Sequence, residues 1–331
     1  MYSRCMPPSS YALAAKLQPK PAIYMQKAKA LKSGATIGIV APASDVKEED
    51  LLKGVSELQG MGFRVQYSNS ILGRHYYFAG PHQERAGELV RMFESPEIDA
   101  IFCARGGYGC HHIIAYLKPE QIKPYPKIFV GYSDITVLLQ YLENSCDMTC
   151  FHGPMVAREL ALGEPYYIKD SLLQCLTNLK PGHRITSPQL ETLQPGIGRG
   201  RLTGGCLSLL TAMLGTPYEI QTEGKILFLE DVNAKPYQVD RMLMHLKLAA
   251  KLEAVRGIVF GEMLHCVQSP EQEYRLQEIV LDVLKDSKVP ILYGLASGHT
   301  TTGALTLPFG VQVLLNADEK YVQLEEAAVD C

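Results

Sequence analysis

No apolar run in the 331 residues reaches the length of about 18 that a bilayer-spanning helix needs. No charge of one sign dominates either. Thirty-two Lys and Arg stand against 35 Asp and Glu, a net charge of −3, which excludes the basic footprint of a nucleic-acid binder. No C-x-x-C occurs among the nine cysteines, and several of them sit inside apolar runs. An odd count in such settings argues against a disulfide framework and for reduced core thiols in a cytoplasmic enzyme. Tryptophan is missing altogether, so any aromatic stacking surface must come from Tyr or Phe. Acidic residues are missing from residues 1–44, which carry Arg4, Lys16, Lys20, Lys27, Lys29 and Lys32. That stretch has no continuous apolar segment behind its charges, and Pro7, Pro8, Pro19 and Pro21 interrupt it. It reads poorly as a secretory signal; the expectation is a disordered extension over residues 1–34.

What is present is ordinary globular composition. With 47% hydrophobic and 20% charged residues, a chain of this length is expected to build about two domains. The first half alternates in type. Short apolar runs at 35–41, 62–67, 99–104 and 127–131 read as strands. Between them, residues 47–61, 81–94, 109–117 and 134–144 carry apolar side chains at helical spacing. This alternation predicts an α/β fold with a parallel sheet covered by helices on both faces. Its ligands are expected at the carboxyl ends of the strands. Residues 180–200 hold three Pro and four Gly and few apolar residues, the composition of a linker or exposed loop. Beyond them, strands are expected at 224–230, 256–260, 291–295, 310–315 and 320–324, and helices at 207–214, 236–251 and 271–286. The predicted organisation is therefore a domain over 35–178, a linker over 179–199 and a mixed, β-rich α/β domain over 200–331.

The strand ends carry the chemistry. In Phe129-Val-Gly-Tyr-Ser-Asp-Ile-Thr136 a buried strand stops and a helix starts at once. Such a sharp turn can expose a nucleophilic Ser133 beside free helix amides, which can hold an oxyanion. The pentapeptide G-x-S-x-G is not met, because position 135 is Ile. The plain alternative is that Ser133 or Asp134 only caps the helix. In Cys103-Ala-Arg-Gly-Gly-Tyr-Gly109 two adjacent glycines let backbone amides approach a ligand. Neither the dinucleotide nor the P-loop fingerprint is present. Arg105 there can fork a carboxylate, or hold the loop in an ion pair.

A serine nucleophile needs a base, and the base needs an orienting acid. His299 lies in the small-residue loop Ala296-Ser-Gly-His-Thr-Thr-Thr-Gly303, just after a strand. His152 precedes Gly-Pro at a strand end, and Cys110-His-His112 is too compact for a usual zinc spacing. His75 and His82 flank a loop, and His183, His245 and His265 have no persuasive context. Glu230 ends the apolar strand Ile226-Leu-Phe-Leu, where a carboxylate is partly buried and needs a partner. Asp231 points to the other face, and Glu262 is a second strand-end carboxylate.

Seven segments in order together resemble the LD-carboxypeptidase family of serine peptidases. They are Ile37-Gly-Ile-Val-Ala-Pro-Ala-Ser44, Ala104-Arg-Gly-Gly-Tyr-Gly109, Val130-Gly-Tyr-Ser-Asp-Ile-Thr136, Phe151-His-Gly-Pro-Met155, Gly200-Arg-Leu-Thr-Gly-Gly-Cys-Leu207, Phe228-Leu-Glu-Asp-Val232 and Gly298-His-Thr300. The resemblance implies a flavodoxin-like N-terminal domain bearing the nucleophile and a C-terminal domain bearing the acid and base. It implies a triad of Ser133, His299 and Glu230, with the amides of Gly107 and Asp134 as oxyanion donors. Arg105 is the suggested anchor for the substrate carboxylate. No cofactor or metal is implied, and a homodimer is. The implied substrate is a muropeptide tetrapeptide, cleaved to release the C-terminal D-Ala from an L-diamino acid during cell-wall recycling. The family's second branch, microcin C immunity peptidases that hydrolyse acyl-nucleotide conjugates, carries an added aromatic loop. Here the 180–200 connection is short and tryptophan is absent, which favours the murein branch.

Overall fold

The computed structural model describes residues 24–269 and 271–330. The first half runs β1 (Thr36–Val40), α1 (Glu48–Gly60), β2 (Arg64–Gln66), α2 (His82–Glu94) and β3 (Ala100–Cys103). It continues with α3 (Cys110–Ile113), α4 (Pro119–Ile122), β4 (Ile128–Gly131), α5 (Thr136–Cys146) and β5 (Cys150–His152). Next come α6 (Lys169–Thr177), β6 (Arg184–Ile185), β7 (Glu191–Gln194), β8 (Ile197–Cys206), α7 (Leu207–Ala212) and β9 (Ile226–Glu230). The chain ends with α8 (Pro236–Leu248), β10 (Gly257–Gly261), α9 (Leu276–Val283), β11 (Ile291–Leu295), β12 (Leu307–Phe309), β13 (Gln312–Asn316) and β14 (Tyr321–Leu324).

The central strands form because short β-branched and aromatic runs can be covered on both faces. Every residue of β1, β3, β4, β9 and β10 is buried, as a parallel sheet between helices requires. The helices follow the complementary rule. α1 buries Leu51, Gly54, Val55 and Leu58 along one stripe and places Glu48, Glu49 and Asp50 in its first turn, where carboxylates suit the helix dipole.

Two sheets result. The first has the order β12-β5-β4-β3-β1-β2, with β1 to β5 all parallel. This is the flavodoxin-like order, and its switch point lies between β1 and β3. The second has the order β6-β14-β13-β8-β9-β10-β11-β7; β8 to β11 are parallel and the outer strands antiparallel. The architecture is thus α/β, with a parallel first sheet and a mixed, β-rich second one. One continuous core runs from Ile37 and Phe129 of the first sheet to Phe228 and Val313 of the second.

Three features differ from the sequence expectations. The stretch 180–200 is not a bare linker. It holds β6, β7 and the start of β8, and β7 pairs antiparallel with β11 while β6 pairs with β14. Both are sheet edges, where half-buried polar residues such as Glu191, Thr192 and Gln194 are normal and leave no apolar signature. The extension does not reach residue 34. Residues 1–23 lie outside the described residues, but Met25, Ala28 and Leu31 are buried. Ala30 N–H donates to Asp330 O (2.7 Å) and Leu31 N–H to Leu176 O (2.9 Å). Finally, β12 leaves the second half and pairs antiparallel with β5 of the first sheet, Leu307 opposite His152. Its Leu-Pro-Phe sequence reads poorly as a strand, yet Pro308 is tolerated because β12 is an edge.

Gly204 illustrates how tightly β8 and β9 approach. It pairs with Phe228 at φ +140°, and a Cβ there would lie 1.8 Å from the Phe228 carbonyl oxygen. Backbone must give way before alanine fits, so Gly204→Ala is expected to cost at least about 3 kcal/mol. Thermal unfolding checks this; a variant melting with the wild type would contradict it.

Candidate active site

The site is assembled at the carboxyl ends of β1, β3 and β4, facing the end of β9. β4 closes at Gly131, Tyr132 is extended, and Ser133 adopts φ +62° before a single 3₁₀ turn leads into α5. A left-handed residue with a Cβ is strained by about 1 kcal/mol or more. Here the strain turns the chain sharply enough to leave Ser133 partly exposed while Asp134 is buried. Asp134 opens the helical turn, where backbone N–H groups lack intrahelical partners.

The Gly106-Gly107 turn lies directly over this serine. A Cβ on Gly106 would stand 3.1 Å from Ser133 Cβ and 3.4 Å from the Asp134 nitrogen. Gly107 has φ +102°, and a Cβ on it would strike Ser44 Oγ at 2.3 Å. Two clasps hold the turn. Ser44, after β1, donates its N–H to Gly106 O (3.3 Å), and its Oγ accepts from Tyr108 N–H (3.1 Å). Asp134 Oδ2 accepts from Cys110 N–H (2.8 Å), tying the serine turn to the glycine turn. Burial raises the Asp134 carboxyl pKa, and the Cys110 N–H partly offsets it. Arg105 donates from Nη1 to Asp45 O (3.1 Å). It makes no ion pair among the described residues, so its charge is available to an anion.

Glu230 is the last residue of β9, and its side chain is fully buried. His299 follows β11 on the 296–305 loop. Its Nδ1 lies 2.7 Å from Glu230 Oε2, and its own backbone N–H donates to the same oxygen (3.2 Å). These are the hydrogen bonds His299 makes among the described residues; none joins it to Ser133 Oγ. The edge of the Tyr132 ring meets the His299 ring at 4.9 Å between centroids, so the imidazole packs on the residue next to Ser133. Burial opposes a charge on His299, but the Glu230 hydrogen bond and charge outweigh it and hold its pKa above the ordinary value. Burial likewise opposes ionisation of Glu230, and the His299 hydrogen bond outweighs it, so that carboxyl is held below its usual range.

Of the supporting residues, Tyr132 and Glu159 carried no legible signal. Tyr132 donates its hydroxyl to Glu159 Oε1 (2.7 Å), and Glu159 Oε2 accepts from Met155 N–H (3.1 Å). This pins the ring that backs His299. Glu262 accepts from Thr301 N–H and Oγ1, both at 2.8 Å, so this second strand-end carboxylate holds the histidine loop. Asp231 accepts from Ser208 N–H (2.7 Å) at the start of α7. His152 reaches the back of Glu230, with Nε2 3.9 Å from Oε1. His82 and His112 stack instead at 4.3 Å beside Phe78 and Tyr108. Among the described residues no group of three or more His, Cys, Asp or Glu side chains is gathered as a metal ion needs. Cys103, Cys110, Cys146, Cys150, Cys175, Cys206 and Cys266 are buried and unpaired, and burial pushes the thiols up.

Chemically, the arrangement offers a serine on a strained turn beneath a glycine turn, and an imidazole whose Nδ1 is hydrogen-bonded to a buried carboxylate. Residues 37–153 match the LD-carboxypeptidase N-terminal domain and residues 199–315 the LD-carboxypeptidase C-terminal domain. A probable murein peptide carboxypeptidase of Bacillus subtilis is 36% identical over 301 residues, covering 90% of this chain and 94% of that one. A solved structure of MccF in complex with glutamyl sulfamoyl guanosine superposes with a TM-score of 0.85 at 25% identity, over 92% of this chain and 99% of that one. The muramoyltetrapeptide carboxypeptidase of Oxalobacter formigenes superposes with a TM-score of 0.80 at 26% identity, over 90% and 100%.

Proposed function

The chain belongs to the LD-carboxypeptidase family, and on that premise we propose that it is a serine peptidase that removes the C-terminal D-Ala from muropeptide tetrapeptides. The reading rests above all on the Glu230–His299 pair, built behind a serine held at a left-handed turn. In this mechanism His299 Nε2 takes the proton of Ser133 as Oγ attacks the scissile carbonyl. Glu230 keeps the proton of His299 on Nδ1 and stabilises the imidazolium. The amides of Gly107 and Asp134 receive the oxyanion. The imidazolium then protonates the departing D-Ala, and water, activated by the same histidine, clears the acyl-enzyme. Arg105 receives the terminal carboxylate. The Ser133–His299 hydrogen bond forms as substrate binds, a tightening common in serine enzymes.

The microcin immunity reading has the MccF likeness in its favour. Against it stand the absence of tryptophan and the use of residues 184–185 and 191–194 as edge strands of the second sheet. Mass spectrometry of the purified protein with L-Ala-γ-D-Glu-diaminopimelate-D-Ala separates the two. Release of D-Ala supports the murein reading. No release, with cleavage of an aminoacyl-sulfamoyl adenosine, replaces it with the other. Light scattering tests the homodimer that the family implies.

The base titrates in a predictable direction. Because Glu230 holds the pKa of His299 above its ordinary value, kcat/KM should fall as pH drops, with an inflection above about 6.5. A kcat/KM profile checks this, and an inflection well below that value would contradict it.

A further inference from the structure

Behind the pair just described lies a second imidazole without a role in the reaction. His152 ends β5, in the first sheet, and is fully buried, as is Glu230. Its Nδ1 lies 3.1 Å from Ser297 Oγ, two residues before His299. Its Nε2 lies 3.9 Å from Glu230 Oε1, the oxygen that His299 does not use. Neither of these two atoms has a hydrogen-bond partner. Tyr132, Phe228 and Phe309 close the pocket, with ring centroids 5.2–5.7 Å from that of His152. Burial pushes the His152 pKa down to about 4, so near neutral pH the ring carries one N–H.

That single proton has two places to go. On Nδ1 it would face Ser297, and Nε2 would present a lone pair to the Glu230 carboxylate. Two acceptors facing each other in a solvent-free pocket repel. On Nε2 it faces Oε1 and is attracted by the full carboxylate charge. Ser297 Oγ, now donating to Leu305 O (2.9 Å), can turn its hydrogen to Nδ1 without moving its oxygen. The carboxylate therefore selects the second tautomer. We propose that His152 is a positioning residue whose Nε2–H holds the free oxygen of Glu230, so that Glu230 Oε2 stays aimed at His299. At 3.9 Å this is an electrostatic contact longer than a hydrogen bond, acting at full strength because the pocket excludes water. His152 comes from the first sheet and Glu230 from the second. The contact therefore registers the acid and base on the sheet that carries Ser133.

Ring ¹⁵N shifts of His152 in histidine-labelled protein test the tautomer directly. An Nε2–H ring is expected, and an Nδ1–H ring at neutral pH would overturn the proposal. This arm does not depend on the peptidase reading. The kinetic arm does, and it uses three variants. His152→Phe keeps the ring volume but has no donor. It should lower kcat about tenfold to a hundredfold, the range typical when an orienting partner is lost, with KM little changed. Gln places an N–H near the Nε2 position, whereas Asn places one near Nδ1. His152→Gln should therefore recover most of kcat and His152→Asn should not. In His152→Phe the kcat/KM inflection should move up, because the charge of Glu230 is then shared with His299 alone. Wild-type kcat in His152→Phe, or equal rates in the Gln and Asn variants, would overturn the proposal. Labelling of Ser133 by a serine-directed acylating probe separates the two failures. An unlabelled wild type removes the peptidase reading; a labelled wild type with indifferent variants removes only the role of His152.

Discussion

Ser133→Ala is expected to lower kcat for D-Ala release by about 10⁴- to 10⁶-fold, the loss seen when a triad nucleophile is deleted. The substitution removes one oxygen and nothing else the fold uses. Ser133 Oγ carries none of the clasps around the glycine turn, which run through Ser44 and through the Asp134 side chain. The variant should therefore fold, bind peptide and retain the slow rate that oxyanion amides and binding alone provide. The left-handed backbone gives a second reading of the same position. Alanine keeps the Cβ and its strain at φ +62°; glycine does not. Ser133→Gly should melt above Ser133→Ala while being equally inactive. The measurement is D-Ala release by mass spectrometry beside thermal unfolding. Release by Ser133→Ala at the wild-type rate would mean that another group attacks the peptide.

Glu230→Ala should cost about 10⁴-fold in kcat, comparable to losing the acid of other serine triads. Two N–H groups of His299 converge on Glu230 Oε2, one from the ring and one from the backbone. Without the carboxylate both are orphaned in a buried place, and the ring has no reason to keep its proton on Nδ1. The imidazolium also loses its counter-charge, so burial acts unopposed and the histidine pKa falls. The kcat/KM profile should then lose its inflection above about 6.5 and show one at lower pH. Glu230→Gln is the milder form, because its amide oxygen can occupy the Oε2 position and keep the tautomer. It loses the charge alone, so its kcat should exceed that of Glu230→Ala. An unshifted inflection in Glu230→Ala would mean that another group sets the pKa of the base.

Much of the framework was readable because its causes are local. β1, β3, β4, β9, β10 and β11 are short apolar runs bounded by turn residues, and α1 and α2 carry an apolar stripe. Ser133, Glu230 and His299 stood out for one shared reason: each is a polar residue at or within a few residues of the end of a buried strand. What stayed illegible depends on partners distant in sequence. The edge strands β6 and β7 are polar, and only β14 and β11 make them strands. Residues 24–34 become ordered through Met148, Leu176 and Asp330. The φ of Ser133, the Tyr132–Glu159 bond and the contact of His152 with Glu230 are likewise products of packing. Glu262 shows the limit from the other side: its setting resembles that of Glu230, and only the neighbouring threonines reveal that it serves the loop.

The pairing of β12 with β5 bears on how such a protein can be inherited. The chain leaves the first sheet after β5, builds six strands of the second, returns to the first for β12, and goes back to the second for β13 and β14. A gene fragment ending before β12 would encode a sheet with the bare edge of β5 exposed, a template for aggregation. A fragment starting after β5 would leave β12 unpaired. No single cut in the chain therefore separates the two sheets, and each half needs the other to complete its strand order.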